Sequence, residues 1–166
     1  MEDMEAENCS AGSTDSLIRI HQIFDGVYGL AGQIRTMSIS KGSFRFAPAR
    51  FLDQTLSEIE KMPQSNFDQI LKKYVDMNVA HPLLDGNGLA TRIRQNDIVK
   101  VELHQMIDWT RIPKDDYLLA MEASLFDDSK LKVLLKQALT DEIYDKYLLF
   151  SGWMPAGILR NIIIIE

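Results

Sequence analysis

Apolar residues recur at helical spacing through most of the chain. Leu17, Ile18, Ile20, Ile23, Phe24, Val27 and Tyr28 form the first such run. Thr14 and Asp15 ahead of it are good N-cap residues, so the spacing predicts a helix over residues 14–30 that weakens at Gly29 and Gly32. Residues 37–46 break the period: β-formers flank Lys41-Gly42-Ser43, which predicts two short extended pieces joined by a turn. A second helix starts at Pro48, runs through Phe51, Leu52, Leu56 and Ile59, and stops at Pro63. Ser65 caps a third. Its stripe of Phe67, Ile70, Leu71, Tyr74, Met77 and His81 brings His81 to the inward face at the helix end, where Pro82 terminates the helix. Residues 83–88 read as a glycine-rich loop, and a further helical pattern runs from Leu89 through Ile93, Ile98 and Val101 toward Met106. Capped, periodic segments at 115–123 and 127–138 precede an apolar stretch at 143–150. No repeat or low-complexity linker divides the chain. The predicted architecture is all-α, a helical bundle with one small β-hairpin flap.

Composition narrows the function classes. The 166 residues are 46% apolar and 25% charged, enough for a single ordinary core. Cys9 is the only cysteine, which excludes a disulfide framework and a multi-cysteine metal site and points to a cytoplasmic location. The longest aliphatic run is the four isoleucines ending at Ile165, far short of the ~20 apolar residues that span a bilayer, so no membrane partner is expected. Residues 1–14 carry Glu2, Asp3, Glu5 and Glu7 with no basic residue and are expected to be a disordered acidic leader; residues 15–150 are then the domain and 151–166 a C-terminal segment. A net charge of −6 argues against direct nucleic-acid binding driven by phosphate neutralisation. A small ligand or another protein is the expected partner.

The stretch from His81 to Arg92 concentrates the chemistry in one helix-loop-helix joint. Glycines let a backbone approach a ligand closely, and amides left unpaired at a helix start, aided by the helix dipole, favour an anion. Gly86, Asn87 and Gly88 therefore read as a phosphate cradle. An imidazole of near-neutral pKa can take a proton from an attacking hydroxyl, the role that suits His81. The Asp85 carboxylate is the hard oxygen ligand that magnesium prefers. Arg92, one turn into the helix, can fold its guanidinium back over the loop onto phosphate oxygens.

Rival motifs fail at identifiable positions. A Walker loop needs Gly-Lys-Ser/Thr, which is absent. An EF-hand starting at Asp85 would need glycine and glutamate where Ala90 and Asn96 stand. A zinc hydrolase needs a third protein ligand, and neither His21 nor His104 has ligand spacing. Singly, His81 reads as a helix-terminal histidine and the glycine pair as a tight turn; jointly, base, acid and glycines at a helix start favour phosphate-ester chemistry. His21 and His104 read as helix-surface residues, Trp109 and Trp153 as packing aromatics, and Lys72-Lys73 as a solvated face.

Residues 81–92 resemble the signature of the Fic family, His-Pro-Phe-x-Asp/Glu-Gly-Asn-Gly-Arg-x-x-Arg. The likeness extends to Ile39-Ser40-Lys41-Gly42-Ser43-Phe44-Arg45-Phe46-Ala47-Pro48, Ile59-Glu60-Lys61-Met62-Pro63-Gln64 and Ala138-Leu139-Thr140-Asp141, as in the small Fic proteins of bacteria. The resemblance implies a helical bundle with a hairpin flap and transfer of AMP from ATP to a hydroxyl side chain of a target protein; several bacterial members modify type II topoisomerases. It makes His81 the general base and assigns magnesium to Asp85. Gly86, Asn87 and Gly88 become the anion hole, with Arg92 on the terminal phosphates. Ser40, Lys41, Gly42, Ser43 and Phe44 become the flap that registers an extended target segment by main-chain pairing. Gly88, where a kinase branch carries lysine, favours nucleotidyl over phosphoryl transfer. A homo-oligomer is compatible with the resemblance.

Departures from the pattern matter as much. Leu89 stands where the family has its first arginine, so one charge-assisted phosphate contact is missing. The alternative expectation is thus a degenerate Fic module, a binding protein or one using another nucleotide donor. Arg94 lies five residues on and so is turned away around the helix. Leu83 replaces phenylalanine. Small Fic proteins end in an inhibitory helix, and a gapless count puts Ala156 and Arg160 at its key positions, so no inhibition of the usual kind is expected; Glu166 is a distant substitute acid.

Overall fold

Side-chain caps set where the helices begin. In the computed structural model, which describes residues 10–28, 30–145 and 148, helix α1 (Thr14–Gln22) starts after Ser13, whose hydroxyl accepts from Ser16 N–H at 3.0 Å. The cap thus lies one residue before the two expected. The helix also ends earlier than its apolar period suggested. Gly26, at φ 85°, lets the chain fold back so that Phe24 is buried and Tyr28 lies against His21.

Helix α2 (Leu52–Lys61) follows a 3-10 turn at Ala49–Phe51. Helix α3 (Phe67–Ala80) is capped by Asn66, not Ser65: Asn66 Oδ1 accepts from Gln69 N–H, while Ser65 donates its N–H and hydroxyl to the Gln69 side chain. Helix α4 (Asn87–Leu103) begins two residues before the expected Leu89, and α5 (Lys114–Ala123) and α6 (Ser129–Gln137) complete the helices. No described helix is long and apolar enough to cross a membrane.

The hairpin forms as expected. Strands β1 (Ser40–Lys41) and β2 (Phe44–Arg45) pair antiparallel, Ser40 opposite Arg45, across a turn that holds Gly42 at φ 59°. A second antiparallel pair was not expected from the sequence: β3 (Met106–Ile107) lies against β4 (Leu139–Thr140). Its signal is tertiary, because buried Asn96 accepts from Ile107 N–H and donates to Ile107 C=O.

Helix α3 packs on α4, flanked by α1 on α4, α2 on α3, and α5 with α6. Two apolar clusters result. One joins Ile70, Tyr74, Val99, Trp109, Leu131 and Leu135; the other joins Leu17, Leu52, Leu56, Met77, Leu83 and Leu89 beneath the 81–88 loop. Residues 10–13, part of the stretch expected to be the acidic leader, lie against the bundle. Gly12 C=O accepts from buried Arg94, and Gln64 Nε2 donates to Ala11 C=O. The lysine pair also splits. Lys72 reaches Asp76 in solvent, whereas Lys73 is buried, donates to Glu60 C=O and Gln64 Oε1, and is pushed down to about 8 by burial.

Candidate active site

The joint between α3 and α4 is built on two left-handed residues. His81 closes α3 at φ 47° and ψ 60°, and Gly86 precedes α4 at φ 73°. A non-glycine residue in this region is strained, a feature common where function fixes the backbone. The backbone of α4 forms its first helical bond from Ala90 N–H to Gly86 C=O, and no side chain caps this end. The amides of Asn87, Gly88 and Leu89 therefore have no acceptor within the helix.

His81 is half-buried and its imidazole lies face to face with Phe46, ring centroids 3.8 Å apart and planes 17° from parallel. Burial pushes its pKa down to about 4, with the Asn78 backbone opposing and the Arg35 and Lys41 charges adding to the shift. This corrects the expectation of a near-neutral value. At neutral pH the ring is unprotonated and ready to accept, though a weaker base than a free imidazole.

Arg35 is the residue holding the site's backbone that sequence reasoning missed. Its guanidinium is buried and donates to four main-chain carbonyls: His81 at 2.7 Å, Met37 at 2.7 Å, Ala47 at 2.6 Å and Ala80 at 3.0 Å. Its own N–H donates to Pro82 C=O, and Ala47 N–H donates to Val79 C=O. The flap root and the His81 backbone are thereby one unit. Nothing in local sequence announces this, since an isolated arginine in a polar stretch has the signature of a surface residue.

Other predicted residues divide. Gly42 and Ser43 form the exposed flap turn, with Ser40 and Lys41 exposed and Phe44 half-buried on the strands, its ring edge-on to Phe46 at 5.0 Å. Asp85 is exposed, and its Oδ1 accepts from Gly86 N–H at 2.8 Å. A single hard carboxylate suits magnesium, which keeps several waters and takes further ligands from substrate phosphates. Among the described residues no cluster of three or more His, Cys, Asp or Glu forms a protein-only metal cage.

Asn87 is corrected. Its side chain is buried and wholly engaged with Leu83, accepting from the N–H at 2.9 Å and donating to the C=O at 2.6 Å. It holds the loop closed on Leu83. Arg92 folds back as expected: Nη1 lies 3.6 Å from the point where a Cβ on Gly88 would stand, and its guanidinium carbon sits 5.9 Å from the Trp109 ring centroid. Leu89 is buried in the apolar cluster with Leu83 and Ile93. Arg94, committed to Gly12, is not at the loop.

His21 is not the surface residue expected. It is buried beside the loop, where desolvation lowers its pKa against the raising influence of the Asp85 main chain and charge. His104 is exposed, and Trp109 packs in the core. The inhibitory-helix positions Ala156, Arg160 and Glu166, with Trp153, lie outside the described residues.

A profile of the Fic/DOC family matches residues 12–98, about half of the chain and the whole of the loop just described. The chain belongs to the Fic/DOC family. It is similar to the probable protein adenylyltransferase Fic of Salmonella typhimurium, 23% identical over 138 residues that cover 75% of this chain and 68% of that protein. Solved structures share the fold of this Fic protein. BepC of Bartonella tribocorum with bound AMPPNP superposes with TM-score 0.64 at 18% identity, covering 78% of this chain and 75% of that one. The N-terminal Fic domain of a Bep effector from Bartonella sp. AR 15-3 gives 0.67 at 14% identity, covering 80% and 72%. The helical bundle with a hairpin flap is therefore the Fic fold.

Proposed function

We propose that this Fic protein is a protein adenylyltransferase that moves AMP from ATP to a hydroxyl side chain of a target protein in the cytoplasm. The observation that carries it is His81, unprotonated and stacked on Phe46 beside the flap, in the joint that leads into an uncapped helix N-terminus, with Arg92 against Gly88 in its first turn. The similar Salmonella protein, a probable adenylyltransferase, and the AMPPNP held by the similar BepC support the choice of reaction and donor.

In this mechanism the target segment pairs with the flap edge and presents its hydroxyl to His81. His81 accepts the proton as the oxygen attacks the α-phosphorus of ATP; the new P–O bond forms as the bond to pyrophosphate breaks. Main-chain amides at the start of α4 face the developing charge, and Arg92 holds the leaving phosphates. Asp85 would hold a magnesium ion, which supplies charge neutralisation on the polyphosphate.

A second reading is favoured by Leu89. Its side chain is packed in the core, so the site lacks one guanidinium on the phosphates, a loss worth about 10²-fold in rate or more. The chain would then bind partners, or accept a less charged nucleotide donor, without efficient AMP transfer.

The deciding experiment is transfer from ATP labelled on the α-phosphate, run against host lysate and purified type II topoisomerase subunits. Label on a protein, reduced at least about 10²-fold by His81→Ala, is the expected result. ADP binding with no label transfer selects the second reading.

A further inference from the structure

His21 is 1% exposed on the inward face of α1, beside the loop. Its Nδ1 accepts a hydrogen bond from Gly32 N–H at 2.9 Å, so the proton of the neutral ring is on Nε2. That Nε2–H makes no hydrogen bond of good geometry among the described residues, although the Asp85 main chain faces the ring closely enough to raise its pKa. Buried donors without acceptors are rare and call for a physical reason. This one is aimed at the turn before α4. Nε2 lies 3.1 Å from the point where a Cβ on Gly86 would stand, and the Tyr28 ring lies 2.7 Å from the same point. Tyr28 in turn stacks on His21, centroids 5.6 Å apart and planes 23° from parallel. The two rings are the floor on which the peptide between Asp85 and Gly86 rests.

The two polar ends of that peptide point in opposite directions, because a trans amide directs its C=O and N–H to opposite sides. A donor beneath the carbonyl therefore decides where the Gly86 N–H faces. At present that N–H is held by the Asp85 carboxylate at 2.8 Å, an arrangement that ends when the carboxylate turns to a cation. We propose that His21 is a positioning residue for the anion-binding turn: its Nε2–H engages the Asp85 main-chain carbonyl from below and holds the Gly86 N–H toward the phosphates of a bound nucleotide, an inference that rests on the nucleotide site proposed above. Shape enforces the same geometry, since a Cβ at Gly86 would collide with the Tyr28 ring and press tightly on His21 Nε2.

Three variants of the whole protein separate donor from packing. His21→Phe keeps a flat ring and removes both nitrogens. His21→Gln keeps a donor at the reach of Nε2, and His21→Asn keeps a polar group only near Nδ1. The first readout needs no ligand: the Gly86 amide resonance in a nitrogen-15 NMR spectrum is expected to move in the Phe and Asn variants and to return toward its original place in the Gln variant. An amide that stays put in all three overturns the proposal.

The second readout is the dissociation constant for ADP with magnesium, measured by calorimetry. It is expected to rise about 10-fold with His21→Phe and to recover with His21→Gln, as for one lost hydrogen bond to a charged group. A merely structural His21 would lower the melting temperature in the Phe and Gln variants alike and leave the ADP constant unmoved, which also overturns the proposal. Absence of ADP binding by the unaltered chain counts instead against the proposed function; the Gly86 amide then decides the His21 contact by itself.

Discussion

The two ends of the helical bundle are held together by different physics. Around Trp109, the α5 and α6 end closes on Ile70, Val99, Leu131 and Leu135, with buried polar contacts between the Tyr74 and Tyr117 hydroxyls, 2.5 Å apart, and between Asn96 and the Ile107 main chain set into that apolar packing. At the loop end, the backbone leaves regular structure at His81 and Gly86, and buried polar side chains hold it there: Arg35 on four carbonyls, Asn87 on Leu83, His21 on Gly32. Apolar packing is non-directional and tolerates adjustment of any one contact. Directed hydrogen bonds fix particular peptide planes, which is what an anion-binding turn requires. The first end supplies stability and the second supplies position.

Removing Arg35 tests the contrast most severely. Arg35→Leu strips the donor from the carbonyls of Met37, Ala47, Ala80 and His81, and is expected to cost about 3–5 kcal/mol in urea unfolding, as for a broken buried charged network. It should also abolish nucleotide binding at temperatures where the chain remains folded. At the opposite end, Leu135→Ala is expected to cost about 2–4 kcal/mol through the cavity it leaves. Its ADP affinity should stay within about twofold of the unaltered protein, because distant sites act independently. An equal loss of binding in both variants would erase the distinction between the ends.

A finer test concerns the flap. Phe46→Ala opens the face of His81 to water, so the His81 pKa should climb from about 4 toward its ordinary 6.5, followed by NMR titration of the imidazole. The sign for stability follows from proton binding. Between pH 6.5 and about 4 the unfolded chain holds a proton on this histidine that the folded chain lacks, so stability falls as pH drops through that window. Phe46→Ala should flatten this fall. In the transfer assay the acid limb should move up in pH with the titration.

The local order of the candidate site was legible in the sequence alone. His81, Asp85, Gly86 and Gly88 announce themselves because a base, an acid and glycines at a helix start form a local pattern, and Arg92 folds back because residues one turn apart share a helix face. The hairpin was legible from Lys41-Gly42-Ser43 between β-formers. What escaped notice has partners far along the chain. Arg35 bonds to residues 45 and 46 positions away, Arg94 to Gly12 82 positions away, and Lys73 is buried through Gln64 and the Glu60 carbonyl of a neighbouring helix. The β3 and β4 pair is two residues long on each side, too short for alternation to be visible.

Sequence by itself determined the period of each helix, the turn residues of the flap and the order of chemical groups from His81 to Arg92, because these depend on neighbours within one or two turns. Only the tertiary structure decided which polar groups are buried and therefore what they do. It lowered His81 through the stacked Phe46, committed Asn87 to the backbone of Leu83, drew Leu89 into the core and set His21 beneath Gly86. Desolvation is a property of the packed interior, and it reaches a residue from every element around it.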